Sequence, residues 1–351
     1  MANPLAADLD YILENTKDLW EEIRGKQIFI TGGTAFFGCW LLESFVWANT
    51  NLRLDSSALV LTRNPEAFRS KAPHLYENPA IQFHTGDVRN FAFPQGKFSY
   101  IIHAALGTDS TSTIQNPLSM FEGIVQGTRQ TLEFAKSCNA NKFLFTSSGA
   151  VYGKQPAEMT HISEDYEGAP LITELASAYG EGKRAAEFLC RAYSKQFGFE
   201  AKIARCFTFV GPYLPLNETY AVGNFIGDAL HGSPIRVKGD GTPYRSYLYA
   251  ADLAIWLWTI LFRGVSCRPY NVGSENFLSI SDLAEVVSKA FQPVPEVHIS
   301  HHPIQSKSVD RYVPSTKRIR FELGLKEHID LHEAIQRTIY WNRYREHIIK
   351  C

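Results

Sequence analysis

The sequence predicts an α/β protein built on a doubly wound parallel sheet, with a smaller α/β lobe towards the C-terminus. Short apolar segments alternate with helical patterns across residues 27–207, which is typical of parallel sheets covered by helices on both faces. A glycine-rich turn separates the first apolar segment from the first helix. Polar or small residues suited to ligand binding follow several predicted strands, and ligands bind such sheets beyond the carboxyl ends of the strands.

Composition indicates a globular protein without an electrostatic preference for polyanions. The 351 residues are 45% hydrophobic and 20% charged, with a formal net charge of −1, which gives no case for binding nucleic acid or an anionic membrane. No apolar run approaches the roughly 18 residues that a membrane-spanning helix needs. The six cysteines are scattered without a Cys-x-x-Cys pair, which favours reduced thiols and a cytoplasmic location. Asp8, Asp10 and Glu14 lie where a secretory signal would be basic and then apolar.

Residues 1–25 form an N-terminal extension before the first strand. Leu9, Ile12, Leu13, Leu19 and Ile23 recur at near-helical spacing among acidic residues, which predicts one or two amphipathic helices. We expect these helices to pack on the main body or on a second subunit.

The glycine turn is the first candidate binding site. The apolar strand 27–30 leads into Thr31 and then into a turn and an apolar helix, the context that a dinucleotide-binding turn requires. Glycine lets the backbone approach a pyrophosphate, whose charge the free N–H groups at the helix start receive. The spacing is Gly-x-x-Ala-x-x-Gly, and the predicted cofactor-binding residues are Gly32, Thr34, Ala35, Phe36, Phe37 and Gly38.

The next strand ends supply further cofactor contacts. Arg63 follows the second strand, where an acidic residue would hold the ribose hydroxyls of NAD and an arginine would accommodate the 2′-phosphate of NADP. The sequence therefore favours NADP over NAD. Asp87, followed by Val88, ends the third strand at a position suited to the adenine amino group. Ala104 and Ala105 end the fourth strand with small residues that let the backbone pass close to the cofactor.

Tyr179 and Lys183 are the candidate catalytic pair. Residues four apart on a helix lie on one face, and an ammonium close to a phenol is expected to lower the phenol's pKa from about 10. Such a tyrosine can exchange a proton with a hydroxyl beside a hydride acceptor. Ser148, at the end of the fifth predicted strand, is placed to hydrogen-bond the same hydroxyl.

Together these segments resemble the extended short-chain dehydrogenase/reductases and, more closely, the nucleotide-sugar epimerase/dehydratase group. The resemblance covers roughly residues 26–345. The matching motifs are Thr31-Gly32-x-x-Ala35-x-x-Gly38, Gly86-Asp87-Val88, His103-x-Ala105, Ser147-Ser148-x-x-Val151-Tyr152-Gly153, Tyr179-x-x-x-Lys183, Arg205 with Gly211-Pro212, Gly239-Asp240-Gly241 with Arg245, Tyr249-x-x-Asp252 and Tyr270-Asn271-Val272-Gly273.

The resemblance implies a Rossmann-type sheet and a role for each matching residue. Tyr179 would be the catalytic base or acid, Lys183 would hold the ribose hydroxyls, and Ser148 would bind the reacting hydroxyl. The substrate implied is a nucleotide-diphosphate sugar. Its diphosphate would be contacted by residues in the second lobe, where a guanidinium meets phosphate bidentately: Asn224, Arg245 and Arg311.

Departures from the family pattern limit the set of reactions that we expect this chain to catalyse. In 4,6-dehydratases of this family the two positions after the catalytic hydroxyl residue are Asp and Glu, and UDP-glucuronate decarboxylases keep Glu at the second. Here they are Gly149 and Ala150, which cannot move a proton. We therefore expect hydride transfer confined to C4 of the sugar, as a 4-ketoreductase, which Arg63 favours, or as a 4-epimerase. The alternatives are a 4,6-dehydratase or decarboxylase, and a non-catalytic nucleotide-sugar or NADP-binding protein.

The resemblance also suggests how the chain is organised. We expect a dinucleotide-binding domain from residues 26–205 plus about 249–279, and a nucleotide-sugar-binding lobe from 206–248 plus 280–351. A homodimer is expected through the helices predicted at 117–136 and 178–197.

His298, His301 and His302 cluster in the sequence, but no Cys or acidic partner lies at ligand spacing, so no metal site is predicted.

Overall fold

The computed structural model describes residues 3–106, 116–217, 220–302 and 309–350. In chain order its strands are β1 (Gln27–Thr31), β2 (Ser57–Thr62), β3 (Ile81–Thr85), β4 (Phe98–His103), β5 (Lys142–Ser148), β6 (Glu200–Cys206), β7 (Phe209–Val210), β8 (Ile235–Val237), β9 (Tyr244–Ser246), β10 (Leu248–Tyr249), β11 (Pro269–Val272), β12 (Phe277–Ser279), β13 (Val297–Ile299) and β14 (Arg311–Tyr312).

The α-helices are α1 (Ala6–Thr16), α2 (Phe36–Leu52), α3 (Pro65–Lys71), α4 (Pro73–Tyr76), α5 (Pro117–Ser137), α6 (Ala178–Phe197), α7 (Ala221–Leu230), α8 (Ala250–Arg263), α9 (Ile280–Lys289), α10 (Lys317–Leu323) and α11 (Leu331–Lys350). Short 3₁₀ helices span Lys17–Ile23, Gly149–Tyr152 and Leu175–Ser177.

The predicted parallel sheet is confirmed. Seven strands pair in the order β11-β6-β5-β4-β1-β2-β3, and every neighbouring pair is parallel. The strand order reverses between β1 and β4, so the connections leave these two strands in opposite directions. In an open parallel sheet this reversal leaves a crevice at the carboxyl ends of the strands, where ligands bind.

The sheet has a hydrophobic core on each face, which explains why its strands are apolar runs rather than alternating patterns. On one face Ile28 and Ile30 of β1 belong to a core that includes Trp258 of α8. On the other face Phe29 belongs to a core that includes Leu132 of α5. Successive side chains of a strand point to opposite faces, so β1 needs apolar residues at every position.

The N-terminal segment packs on the main body through its predicted apolar face. Leu9 and Ile12 of α1 are buried, and the ring of Trp20 lies 4.8 Å from that of Trp258 in α8. The Tyr11 hydroxyl also donates to the buried carboxylate of Asp252, at 2.7 Å. The extension is thus joined to α8 by both apolar packing and a buried polar contact.

Apart from β11, the described strands beyond β6 form small sheets beside the large one. Strand β9 lies between β12, which runs antiparallel to it, and β14, which runs parallel. Strands β8 and β13 form a parallel pair, and α7 contacts α9 and α11. The pairing of β9 with β14 sets Arg245 opposite Tyr312 and Arg311 opposite Tyr244.

The division into a dinucleotide-binding domain and a nucleotide-sugar-binding lobe stays a prediction.

Candidate active site

The glycine turn lies between β1 and α2 and is packed too tightly for a side chain at Gly32 or at Gly38. A Cβ on Gly32 would lie 2.6 Å from the backbone of Ala104, and the residue has a φ of +73°. A Cβ on Gly38 would lie 2.3 Å from the Gly32 carbonyl oxygen. Gly32 is therefore required for the turn to pack against Ala104, which directly follows β4, and Gly38 is required for α2 to pack against the turn itself.

The start of α2 offers backbone N–H groups at this turn. Ala35 is the N-cap residue, no side chain caps the helix among the described residues, and its first turn contains no acidic residue. The first N–H groups of a helix have no partner within the helix, and the helix dipole favours an anion there. Phe37 packs edge-on against Phe209, with ring centroids 5.0 Å apart, and holds the helix start against the residues after β6.

A lysine not identified from the sequence also supports the turn. Lys71, the last residue of α3, donates from Nζ to the carbonyl oxygen of Thr34, at 2.9 Å. The Thr34 carbonyl therefore has a cationic donor from outside the motif. No spacing rule links Lys71 to the glycines, because the contact depends on how α3 folds back over the sheet.

The ends of β2 and β3 bring opposite charges together. The Asp87 carboxylate accepts from the Arg89 guanidinium at 2.8 Å, and this hydrogen bond lowers the pKa of Asp87 below its usual range. Arg63 is exposed at the end of β2, and its charge also favours the ionised form of Asp87. Val88 is buried and faces Gly127 of α5. The expected adenine contact of Asp87 would thus come from a carboxylate already paired with Arg89.

His103, the last residue of β4, anchors the turn that contains Ala104 and Ala105. Its Nδ1 lies 2.7 Å from the Thr31 hydroxyl, and its Nε2 lies 3.1 Å from the Thr128 hydroxyl. Burial lowers the pKa of His103 to about 3, so the ring is neutral at physiological pH. The Ala105 N–H donates in turn to the Thr31 hydroxyl, at 3.3 Å.

Tyr179 and Lys183 lie on α6 as predicted, but the predicted lowering of the Tyr179 pKa is wrong. Burial raises the pKa of Tyr179, and a hydrogen bond with Ser148 offsets only part of this rise. The Lys183 ammonium lies 5.9 Å from the centre of the Tyr179 ring and donates to the Thr146 carbonyl oxygen at 2.7 Å. Burial also lowers the pKa of Lys183, to about 8. Desolvation therefore dominates the pKa of Tyr179, and the group that lowers it is the Ser148 hydroxyl rather than the Lys183 ammonium that spacing suggested.

Ser148 ends β5 and begins the 3₁₀ helix Gly149–Tyr152. Its Oγ accepts from the Ala150 N–H at 3.1 Å, as the N-cap of that helix. The structure therefore brings Ser148 and Tyr179 together at the carboxyl edge of the sheet, with Lys183 one helical turn beyond. A second phenol, that of Tyr312, lies 3.2 Å from the Ser148 Oγ, and no motif in the sequence indicates it.

The three expected substrate residues lie on the small elements beyond β6. The Arg245 guanidinium is paired with Asp310 at 2.6 Å and donates to the Tyr244 carbonyl oxygen. Arg311 stacks over the Tyr244 ring at 4.7 Å, and its buried Nη1 has no hydrogen-bond partner within the described ranges. Asn224 of α7 lines a cavity of about 500 Å³. Of the two guanidiniums, Arg311 therefore has an unused donor and Arg245 is partly neutralised.

The described part of the chain contains neither a metal-binding cluster nor a membrane-spanning helix. No group of three or more His, Cys, Asp or Glu side chains there could hold a metal ion. The same residues include no helix that is both long enough and apolar enough to cross a membrane. His298 instead lies beside Glu296, and His301 beside the Lys238 carbonyl.

Comparison with known protein families gives a match over most of the chain. The model described as NAD dependent epimerase/dehydratase family matches residues 28–273. Among curated proteins, UDP-glucuronic acid decarboxylase 1 of Danio rerio is 28% identical over 92% of this chain and 74% of its own length. UDP-glucuronic acid decarboxylase 6 of Arabidopsis thaliana is also 28% identical, over 92% of this chain and 90% of its own length.

Solved structures of low sequence identity share the fold. A UDP-glucuronic acid 4-epimerase from Bacillus cereus, in complex with UDP-glucuronic acid and NAD, is 21% identical with a TM-score of 0.76, covering 91% of this chain and 99% of its own. The epimerase Mth375 from Methanothermobacter thermautotrophicus is 18% identical with a TM-score of 0.78, covering 99% of this chain and 98% of its own.

Proposed function

The chain belongs to the NAD dependent epimerase/dehydratase family, and we propose that it transfers a hydride at a single carbon, C4, of a nucleotide-activated sugar. The direction we favour is that of a 4-ketoreductase. The proposal rests on one observation. Ser148 and Tyr179 converge at the carboxyl edge of the sheet, whereas the next two residues, Gly149 and Ala150, offer no side chain that can move a proton.

The glycine turn fits a nicotinamide dinucleotide. The uncapped start of α2 supplies N–H groups for a pyrophosphate, and Gly32, which packs on Ala104, has no side chain that would keep the backbone from the pyrophosphate. Arg63 favours NADP, whose 2′-phosphate a guanidinium can bind bidentately. When bound, the cofactor would supply or accept the hydride, and the protein would supply orientation and proton transfer.

Tyr179 is proposed as the acid that protonates the C4 oxygen. Its raised pKa keeps the phenol protonated at physiological pH, and reduction of a ketone requires a proton donor at the carbonyl oxygen. Ser148 would hydrogen-bond the same oxygen. Lys183 would hold the ribose and, as a buried cation near the phenol, stabilise the phenolate that remains after proton transfer.

The diphosphate of the substrate is proposed to bind between β9, β14 and α7. The buried Nη1 of Arg311 is an unused donor, and leaving such a group unpaired costs about 1–3 kcal/mol. A phosphate oxygen would satisfy it. Arg245 and Asn224 would complete this site, and the cavity lined by Asn224 would receive the nucleotide.

A second candidate is decarboxylation of UDP-glucuronate, which the names of the curated relatives favour. That reaction begins with oxidation at C4, because a carboxylate β to the resulting ketone is lost readily as CO₂. Ala150 disfavours it, since the decarboxylases of this family have a glutamate there. A 4-epimerase would use the same C4 step and keep its cofactor bound.

We also propose that the protein forms a homodimer and that it is located in the cytoplasm.

The test compares Tyr179→Phe with Tyr193→Phe. Tyr193 lies on the same helix, but its hydroxyl donates to Glu133 of α5, outside the proposed site. Each protein is incubated with UDP-glucose, UDP-glucuronate and their 4-keto derivatives, together with each oxidised and reduced nicotinamide cofactor. Products are identified by mass spectrometry. We expect C4 reduction by the wild type, a loss of roughly 10²–10⁴-fold in Tyr179→Phe, and unchanged turnover in Tyr193→Phe.

The alternatives give different results in the same experiment. Release of a UDP-pentose from UDP-glucuronate would favour the decarboxylase. Equilibration of the C4 epimers with tightly retained NAD⁺ would favour the epimerase. Full activity of Tyr179→Phe would remove the proposed chemistry, and substrate binding without any turnover would indicate a non-catalytic binding protein.

A further inference from the structure

A second phenol belongs to the Ser148 site. The Tyr312 hydroxyl lies 3.2 Å from the Ser148 Oγ and 3.4 Å from the Cys206 carbonyl oxygen, and its ring packs against Phe207 with centroids 4.6 Å apart. We propose that Tyr312 is a positioning residue that orients Ser148 as a hydrogen-bond donor towards the reacting oxygen. This inference rests on the proposed function, because it assumes that Ser148 contacts the C4 oxygen.

Counting hydrogens and lone pairs leads to this orientation. A serine hydroxyl has one hydrogen to donate and two lone pairs to accept with. The Ala150 N–H occupies one lone pair of Ser148, at 3.1 Å. A phenol is a stronger acid than an aliphatic hydroxyl and is the better donor, so Tyr312 donates to Ser148 and occupies the second. With both lone pairs of Ser148 occupied, its hydrogen bond with Tyr179 is one that Ser148 donates. When the substrate binds between the two hydroxyls, this hydrogen passes to the sugar oxygen, which must be stabilised as it gains negative charge.

The competing acceptor for the phenol hydrogen is the Cys206 carbonyl oxygen. It lies farther from the Tyr312 hydroxyl, at 3.4 Å against 3.2 Å for the Ser148 Oγ. If the phenol donated to Cys206, Ser148 would donate to the phenol and could only accept from the substrate. The two arrangements therefore assign opposite roles to Ser148, and they differ in what removal of the phenol hydroxyl does to catalysis.

Gly149 is the residue that makes room for this arrangement. A Cβ at position 149 would lie 2.7 Å from the Tyr312 hydroxyl oxygen and 2.6 Å from Cζ of Phe207. Real Cβ atoms do not approach other atoms this closely, so a side chain at 149 would displace the phenol from Ser148. The glycine and the tyrosine thus act as a pair: position 149 lacks a side chain, and the neutral hydroxyl of Tyr312 occupies the space.

The test is Tyr312→Phe, with Tyr166→Phe as the matched control. Tyr166 belongs to the same hydrophobic cluster as Tyr312, and its ring packs against that of Tyr152. With the nucleotide sugar that the wild type converts, we expect Tyr312→Phe to lower kcat by about tenfold, the effect of one lost hydrogen bond. KM should stay within about twofold, and Tyr166→Phe should match the wild type.

A double-mutant cycle separates positioning from other roles. If Tyr312 acts through Ser148, the double variant Ser148→Ala with Tyr312→Phe should have the kcat of Ser148→Ala alone, because the two effects share one group. Gly149→Ala provides a second route, since it pushes the phenol away without removing it. It should reproduce the loss in kcat, and cofactor binding measured by fluorescence verifies that each variant is folded.

Failure of the inference and failure of the proposed function give different outcomes. No C4 conversion by the wild type would overturn the proposed function. Conversion by the wild type with an unchanged kcat in Tyr312→Phe would overturn only the role of Tyr312. A further tenfold loss in the double variant would show that the phenol acts independently of Ser148 and would also refute the inference.

Discussion

Replacing Lys183 by methionine tests how burial acts on the proposed catalytic pair. Lys183 is 2% exposed, and burial lowers the pKa of its ammonium from 10.5 to about 8. The charge is therefore expected to cost stability at neutral pH. Methionine keeps an unbranched side chain of similar length but has no charge, so Lys183→Met removes this cost together with the hydrogen bond to the Thr146 carbonyl oxygen.

The size and the sign of the effect follow from the two pKa values. One pKa unit corresponds to 1.36 kcal/mol, so the fall from 10.5 to about 8 corresponds to about 3 kcal/mol. Below pH 8 Lys183 is protonated in both the folded and the unfolded protein, and the full cost of burying its charge is present. Between about pH 8 and 10.5 the unfolded chain holds the proton and the folded protein does not. The free energy of unfolding of the wild type therefore gains about 3 kcal/mol from Lys183 as pH rises through this window.

The measurement is urea denaturation of both proteins at about pH 7 and about pH 10, at one protein concentration. Other groups titrate over this range, but they contribute equally to wild type and variant and cancel in the difference. We expect the stability of Lys183→Met relative to wild type to fall by roughly 2–3 kcal/mol between the two pH values. The lost Thr146 hydrogen bond, about 1 kcal/mol, shifts the difference equally at both. Lys195→Met, at an exposed position on the same helix, is the control.

A stability difference between Lys183→Met and wild type that does not change with pH would refute the reasoning. It would mean that the ammonium is solvated in the folded protein or stays protonated through the pair with the Thr146 carbonyl. The burial that raises the Tyr179 pKa would then be in doubt as well, because both side chains lie in the same part of the site.

Two further predictions concern the cofactor and the assembly. Arg63→Ser should lower kcat/KM for NADPH by about tenfold or more, because it removes a charge-assisted contact with the 2′-phosphate. It should leave kcat/KM for NADH unchanged. Equal effects on both cofactors would contradict a role of Arg63 at the 2′-phosphate. For the predicted dimer, Phe188 of α6 is 71% exposed and Leu118 of α5 is 65% exposed, so Phe188→Glu should halve the mass measured by light scattering. Phe321→Glu, at a residue of α10 that is 93% exposed, should leave the mass unchanged, and the same mass for all three proteins would argue against this interface.

Much of the scaffold could be predicted because it depends on local patterns. The helix expected over residues 178–197 is observed at those bounds, and the apolar strand expected at 27–30 is observed as β1 (Gln27–Thr31). Apolar runs bounded by turns predict buried strands, and the glycine turn is recognisable since Gly32 and Gly38 admit no side chain. The shared edge of the sheet follows from the parallel order, so Ser148 could be expected near the cofactor turn.

Contacts between distant parts of the chain could not be predicted in this way. Lys71 reaches Thr34 only because α3 folds back towards the turn. The rise in the Tyr179 pKa depends on burial by several elements, and the spacing of Tyr179 and Lys183 carries no information about burial.

The amino-acid sequence by itself therefore determined the parallel sheet, its glycine turn and the order of the motifs along the chain, because periodicity and turn chemistry act between neighbours. The tertiary structure alone decided that Tyr312 meets Ser148. Tyr312 lies 164 residues further along the chain from Ser148, and it reaches the site because β14 pairs with β9 beside the end of the large sheet. Hydrogen bonding and desolvation depend on distances in space, which residue spacing does not specify.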